Sequence, residues 1–157
     1  LYTTERIDTD EQIQKVIEMY RQRWLIEEFF KAIKTGCAYE QRQLTTYHSL
    51  RNCLAMTLPL AWEMLLLRVQ SRAENSPQAA TFIDPLRLEV LDTYSQQTKR
   101  PLPKDPTLRD VAYAVAWLGG HIRRNGPPGW IVLRRGYDEL LALEKGWILS
   151  TKRCVGS

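Results

Sequence analysis

Cysteine and histidine are scarce in this chain. Cys37, Cys53 and Cys154 are odd in number, no two stand at C-x-x-C spacing, and only His48 and His121 are present to join them. That argues against a disulfide framework and against a structural zinc site, and it fits a reducing cytoplasm. No run of about 18 apolar residues stands out, so no membrane span is expected. The start, Leu1-Tyr2-Thr3-Thr4-Glu5, is neither a signal peptide nor an initiator methionine, and the chain reads as a piece of something longer. Internal repeats and low-complexity tracts are lacking too. What is present suffices for a real core: 157 residues, 44% of them hydrophobic, make one domain or two small packed pieces. A net charge of +4 and a pI near 9.1 lean towards an anionic partner, well short of a histone-like binder.

Punctuation residues divide the chain into helices. Leu1 to Thr4 read as the end of a strand. Thr9 with Gln12, or Asp8 with Glu11, caps a long helix that Gly36 ends as a C′ residue. Ile26, Phe29, Phe30 and Ile33 form its buried face, beside a polar stripe. Those four residues are expected to be covered by self-association or by the next helix. That helix spans about Tyr47 to Arg72, apolar nearly all round and hence central and buried, with Pro59 kinking or splitting it. Ala73 to Ala80 read as a linker. Asp84-Pro85 opens a helix to about Gln96, and Asp105-Pro106 another to about Ile122. Asn125-Gly126-Pro127-Pro128-Gly129 breaks the chain. A last helix covers Ile131 to Lys145, with Gly136 as its weak point. Trp130, Tyr137 and Trp147 read as core.

The polar stripe is the candidate surface for chemistry. At about 100° per residue, Tyr20, Arg23, Glu27 and Lys34 fall near 0°, 300°, 340° and 320° around the axis. One acid, two cations and a phenol thus share a narrow surface, suited to a phosphodiester backbone and a metal that activates it. The bland alternative is a solvated helix face, with Arg23–Glu27 and Glu27–Lys31 pairs contributing about 0.2–0.5 kcal/mol each. Metal-assisted attack on phosphodiesters commonly uses two magnesium ions held mainly by carboxylates. Glu27 supplies one ligand; Glu28 lies about 100° further round and is poorly placed to share the site. The remaining carboxylates must come from elsewhere.

Tyr20-x-x-Arg23-x-x-x-Glu27-x-x-x-x-x-x-Lys34 resembles the YREK signature of bacterial insertion-sequence transposases of the DDE superfamily, in the group typified by the transposon-five transposase. Tyr20-Arg21-Gln22-Arg23-Trp24, Ile26-Glu27-Glu28-Phe29, and Lys34-Thr35-Gly36-Cys37 followed by Glu40 and Gln43-Leu44 extend the likeness. The Trp62 helix, Leu118-Gly119-Gly120 and Gly126-Pro127-Pro128-Gly129-Trp130 support it. The likeness is weakest from about Ala73 to Lys104.

The resemblance implies a mainly α chain. Residues 1–74 would be the C-terminal part of a ribonuclease-H-like α/β catalytic core, and residues 75–157 a small helical domain that pairs two protomers. Glu27 would be the third carboxylate of an Asp, Asp, Glu triad and a ligand for catalytic magnesium. The two aspartates would stand upstream of the chain, leaving this piece inactive alone. Tyr20, Arg23 and Lys34 would grip phosphates at the transposon end. Trp24 would flank a flipped base during hairpin formation, or else lie at the core edge. The implied reaction is nicking, hairpin formation, hairpin opening and strand transfer to target DNA, by in-line attack between metals. The setting would be the bacterial cytoplasm, on the nucleoid. Lys99, Arg100, Lys104, Arg123, Arg124, Arg134 and Arg135 would track DNA or simply solvate the surface. Two other readings stand beside a cut-and-paste transposase: a non-catalytic helical module for DNA contact and dimerisation, and the remnant of a degenerate transposase.

Overall fold

The computed structural model describes residues 3–98 and 100–154; Leu1, Tyr2 and Lys99, read above as part of a strand end and of a basic turn, lie outside the described residues. Six α-helices order those residues: α1 Asp10–Gln22, α2 Trp24–Lys31, α3 Tyr47–Gln70, α4 Pro85–Gln97, α5 Leu108–Leu118 and α6 Trp130–Cys154. The fold is mainly helical. Thr3 and Thr4 form no strand, and among the described residues β pairing is limited to an isolated antiparallel bridge between Gln78 and Thr107.

The caps explain most boundaries. Thr9 and Gln12 form the capping box of α1, and the Asp84 carboxylate accepts from the Leu86 N–H with Pro85 in the first turn of α4. Helix α5 opens later than Asp105-Pro106 suggests. Thr107 accepts from the Asp110 N–H, and the Asp110 carboxylate accepts in return from the Thr107 N–H at 2.9 Å. Only Thr107 has an acid three residues on, so only it completes the reciprocal box. The helix also ends sooner, at Leu118. Gly120, at φ 83°, donates to the Trp117 carbonyl, and the His121 N–H donates to the Ala116 carbonyl. This pair of bonds is a Schellman turn, which needs the left-handed residue that glycine supplies.

Helices α5 and α6 build the centre of the core. Val111, Ala112, Val115 and Ala116 of α5 are buried, as are Leu133, Tyr137 and Leu140 of α6. Their axes approach closely because two glycines face backbone. A Cβ on Gly136 would lie 1.7 Å from the Val115 carbonyl oxygen, and one on Gly119 would lie 1.9 Å from that of Val132. Gly136 is therefore the contact point of the helix pair rather than a weak point, and α6 runs unbroken to Cys154 instead of stopping near Lys145. Trp130 and Tyr137 are core residues, and Trp147 is half-buried at the edge of the core.

Helix α3 packs on this pair with Ala61, Met64, Leu65 and Leu67, yet it is not the buried central helix that its composition suggests. Met56 is 81% exposed and Trp62 63% exposed. Pro59 does not split it. Ala55 and Pro59 are both exposed, so the carbonyl left without its donor faces water. By length and composition alone α3 is also apolar enough to cross a bilayer, contrary to the reading above. In this fold its Glu63 and Arg68 are engaged in ion pairs with α4 and α2.

Arg87 ties three helices together. Its guanidinium pairs with Glu63 of α3 at 2.5 and 2.6 Å and with Glu144 of α6, and lies against the Tyr137 ring. All three charged side chains are largely buried. The expected linker is likewise knitted in: the Ala79 N–H donates to the Pro106 carbonyl and the Leu108 N–H to the Pro77 carbonyl.

The N-terminal arm is different. Helices α1 and α2 contain no buried residue. Of the expected apolar face, Ile33 is buried and Phe29 packs edge-on against Trp62, while Ile26 and Phe30 stay exposed. Leu25, Ile26 and Phe29 with Trp62, Leu66 and Val69 leave an apolar groove of about 310 Å³ between α2 and α3.

Candidate functional site

The predicted single helix from Thr9 to Gly36 is three joined pieces, and the joints fall on the predicted stripe. At Arg23 the backbone stays right-handed but tightens: the Arg23 N–H donates to the Tyr20 carbonyl and the Ile26 N–H to the Arg23 carbonyl, each at 3.1 Å. Three-residue turns bring side chains i and i+3 towards eclipse. Tyr20 and Arg23 are thus drawn closer than the roughly 60° an even helix gives.

The second joint is a wide π turn over Ala32–Gly36, closed by the Cys37 N–H donating to the Ala32 carbonyl at 2.8 Å. Lys34 sits within it. Gly36 is not a left-handed stop. It is buried, and a Cβ there would meet the Met64 methyl at 3.1 Å and the Trp130 ring at 3.4 Å. The left-handed residue is Ala38, at φ 51° the sole non-glycine residue with positive φ among the described residues. A buried alanine held in that region costs on the order of 1 kcal/mol. The reversal it makes lets the 3₁₀ turn Tyr39–Gln41 fold back, so that Glu40 pairs with Lys34 at 3.0 Å; the Tyr39 hydroxyl anchors the turn on the Leu50 carbonyl. Wide turns and strained residues of this kind concentrate at functional sites.

Tyr20, Arg23, Trp24, Glu27 and Lys34 are all exposed. Trp24 is 58% exposed with the Lys31 ammonium 5.1 Å over its ring, so it is no core-edge tryptophan. The pairs expected of a bland face, Arg23–Glu27 and Glu27–Lys31, do not form. Lys31 pairs instead with Glu28 at 2.9 Å, and Glu27 has no hydrogen-bond or ion-pair partner among the described residues.

Glu28 is spent on architecture. It accepts from the Arg68 Nε at 3.3 Å, and Arg68 in turn donates to the Pro128 carbonyl and stacks on the Trp130 ring. Burial pushes the Glu28 carboxyl upwards, but its bonds to Lys31 and Arg68 and their charges prevail and hold it below its ordinary 4.5. This link, 40 residues apart in sequence, fixes the roll of α2 and hence the outward aim of Glu27. Nothing in the local pattern of α2 announces it.

Cys37 is buried, and burial, reinforced by the charge of Asp138, pushes its thiol up to about 11, which disfavours the reactive thiolate. No group of three or more His, Cys, Asp or Glu side chains placed to hold a metal occurs among the described residues. Of the basic residues noted in the sequence, Arg134 and Arg135 come to Lys34 across a cleft of about 420 Å³. Arg100 covers the Trp117 ring instead, and Lys104 and Arg124 are exposed away from that cleft. The Arg123 side chain lies outside what is described.

Residues 2–61, the stretch that holds the whole Tyr20 to Lys34 constellation and the first half of α3, match the family model of the transposase DDE domain, and this match supports a DDE transposase.

Proposed function

We propose that this chain is the C-terminal part of a cut-and-paste DNA transposase of the YREK group. In this reading, residues 1–74 complete a ribonuclease-H-like catalytic core, and residues 75–157 form a helical domain that pairs two protomers on two transposon ends. The observation that carries the reading is the contrast among neighbouring acids. Glu28 is committed to Arg68 and Lys31, and Glu40 to Lys34, whereas Glu27 is exposed and unpaired among the described residues. An exposed carboxylate that its neighbours on the helix leave unpaired is suited to receive a hard cation.

The fit to magnesium is partial. Glu27 offers one oxygen ligand of the kind magnesium takes, and an octahedral ion held for catalysis needs at least one further carboxylate, here the two upstream aspartates. When bound, such ions stabilise the attacking and leaving oxygens of an in-line displacement. The residues of this chain do the positioning. Arg23 and Lys34 donate to phosphate oxygens, Tyr20 offers a hydroxyl donor, and Trp24 presents an exposed ring on which an extruded base stacks.

The test is cleavage of end-containing duplex DNA in magnesium by the parent protein that carries those aspartates. Glu27→Gln is expected to lower nicking at least about a hundredfold, since a metal ion supplies several kcal/mol to such a transition state, with duplex binding retained. Unchanged nicking returns Glu27 to an ordinary surface acid.

A further inference from the structure

The π turn and the first turns of α6 face each other across the cleft of about 420 Å³. Lys34, Thr35, Glu40 and Gln41 line one wall, and Arg134 and Arg135 the other. The residues that meet are 100 positions apart in sequence. Three cations oppose one acid there, and the acid is Glu40, already paired with Lys34. Arg134 has only a long contact to Asp138 at 3.9 Å, and Arg135 is exposed with no partner among the described residues. A concave surface with surplus positive charge, two guanidinium forks and hydroxyl and amide donors matches an anion with several oxygens. Lys34 follows Glu27 by seven residues, about 10 Å along a helix, which is about the rise of three base pairs along the axis of a duplex.

We propose that Arg134 and Arg135 of α6 complete, with Lys34, a phosphate-binding cleft for the backbone of duplex DNA, so that one strand passes from Glu27 into the contact between the π turn and α6. This deepens the transposase reading and rests on it. The C-terminal helices then hold substrate directly, beside the signature helix, in addition to any role in pairing protomers. The Ala38 reversal and the packing of Gly36 on Met64 and Trp130 set the width of the cleft.

The test is binding of a labelled duplex to the 157-residue chain by fluorescence anisotropy, over about 50 to 200 mM salt. Wild type is compared with Arg135→Gln, Lys34→Gln and Lys145→Gln, the last an exposed cation of α6 outside the cleft. Thermal melts confirm that each variant is folded. Arg135→Gln and Lys34→Gln are each expected to weaken binding several-fold and to make the log–log salt slope shallower by about 0.9, the signature of one lost phosphate contact. Lys145→Gln should bind like wild type. If Lys34→Gln weakens binding and Arg135→Gln does not, the cleft proposal falls while the reading of the signature helix stands. If neither weakens it, or the chain does not bind duplex, both fall. An equal loss in Lys145→Gln means diffuse attraction and overturns the cleft. Inorganic phosphate that binds wild type but not Arg135→Gln, with equal duplex affinity in both, makes this a free-phosphate site and overturns the proposal.

Discussion

The N-terminal arm and the α3–α6 bundle differ in how they use their side chains. In the bundle, an apolar core is buried, Gly119 and Gly136 touch backbone, and the charges that lie inside are paired. Arg87 meets Glu63 and Glu144 in the interior, and Tyr137 is 1% exposed beside them. In the arm, α1 and α2 contain no fully buried residue, and Tyr20, Arg23, Trp24 and Glu27 stand in solvent. The two regions meet through Ile33, Gly36 and the Glu28–Arg68 pair. A side chain whose bonding is satisfied within the fold stabilises it; one left unsatisfied on a rigid helix is available to a ligand. Glu27 and Glu28, adjacent in sequence, fall on opposite sides of that division.

Substitutions sharpen the contrast, the largest effects lying in the bundle. Arg87→Met leaves two largely buried carboxylates without their partner and is expected to destabilise by about 3–5 kcal/mol, read from urea unfolding. Gly136→Ala comes next. Helix propensity alone favours alanine by about 1 kcal/mol. The Cβ it adds, 1.7 Å from the Val115 carbonyl oxygen, must push α5 and α6 apart, and a loss of about 3 kcal/mol is expected. Gly146→Ala in the same helix meets nothing within 4 Å and should instead stabilise by about 0.5–1 kcal/mol.

At the junction, Glu28→Gln is expected to cost about 1.5 kcal/mol at neutral pH through its bonds to charged partners. The sign of its pH dependence follows from the depressed carboxyl. The stabilisation is fully present above the ordinary value of 4.5 and is lost as pH falls through the lower folded value. Urea midpoints of wild type and Glu28→Gln should therefore converge below pH 4.5 and stay apart above it. In the arm, Glu27→Gln should leave the unfolding midpoint within about 0.5 kcal/mol of wild type, because that carboxylate has no partner among the described residues. A large destabilisation by Glu27→Gln would erase the distinction between the two regions.

Local rules carried much of this far. Thr9 with Gln12 and Asp84 with Pro85 mark helix starts that the fold keeps, and the break at Asn125 to Gly129 separates α5 from α6 as its prolines require. The candidate residues share one helical arm because their spacing follows the helical period. The same rules failed where a distant partner decided. Gly36 lies in the π turn and Gly136 inside α6, and each is fixed by what packs on it and not by a left-handed backbone. The apolar circumference of α3 overstated its burial, since composition records what a helix is able to bury and not what covers it.

The sequence by itself determined the helices, their caps and the presence of an acid, two cations and two aromatic rings on one arm, because these depend on residues within a turn or two of one another. Tertiary structure alone decided that Glu28 is bound while Glu27 has no partner among the described residues, that Lys34 sits in a wide turn followed by the Ala38 reversal, and that Arg134 and Arg135 face it. Those outcomes depend on Arg68, Trp130 and the α5–α6 contact, groups 40 to 100 residues away, whose meeting is set by packing that no local period encodes.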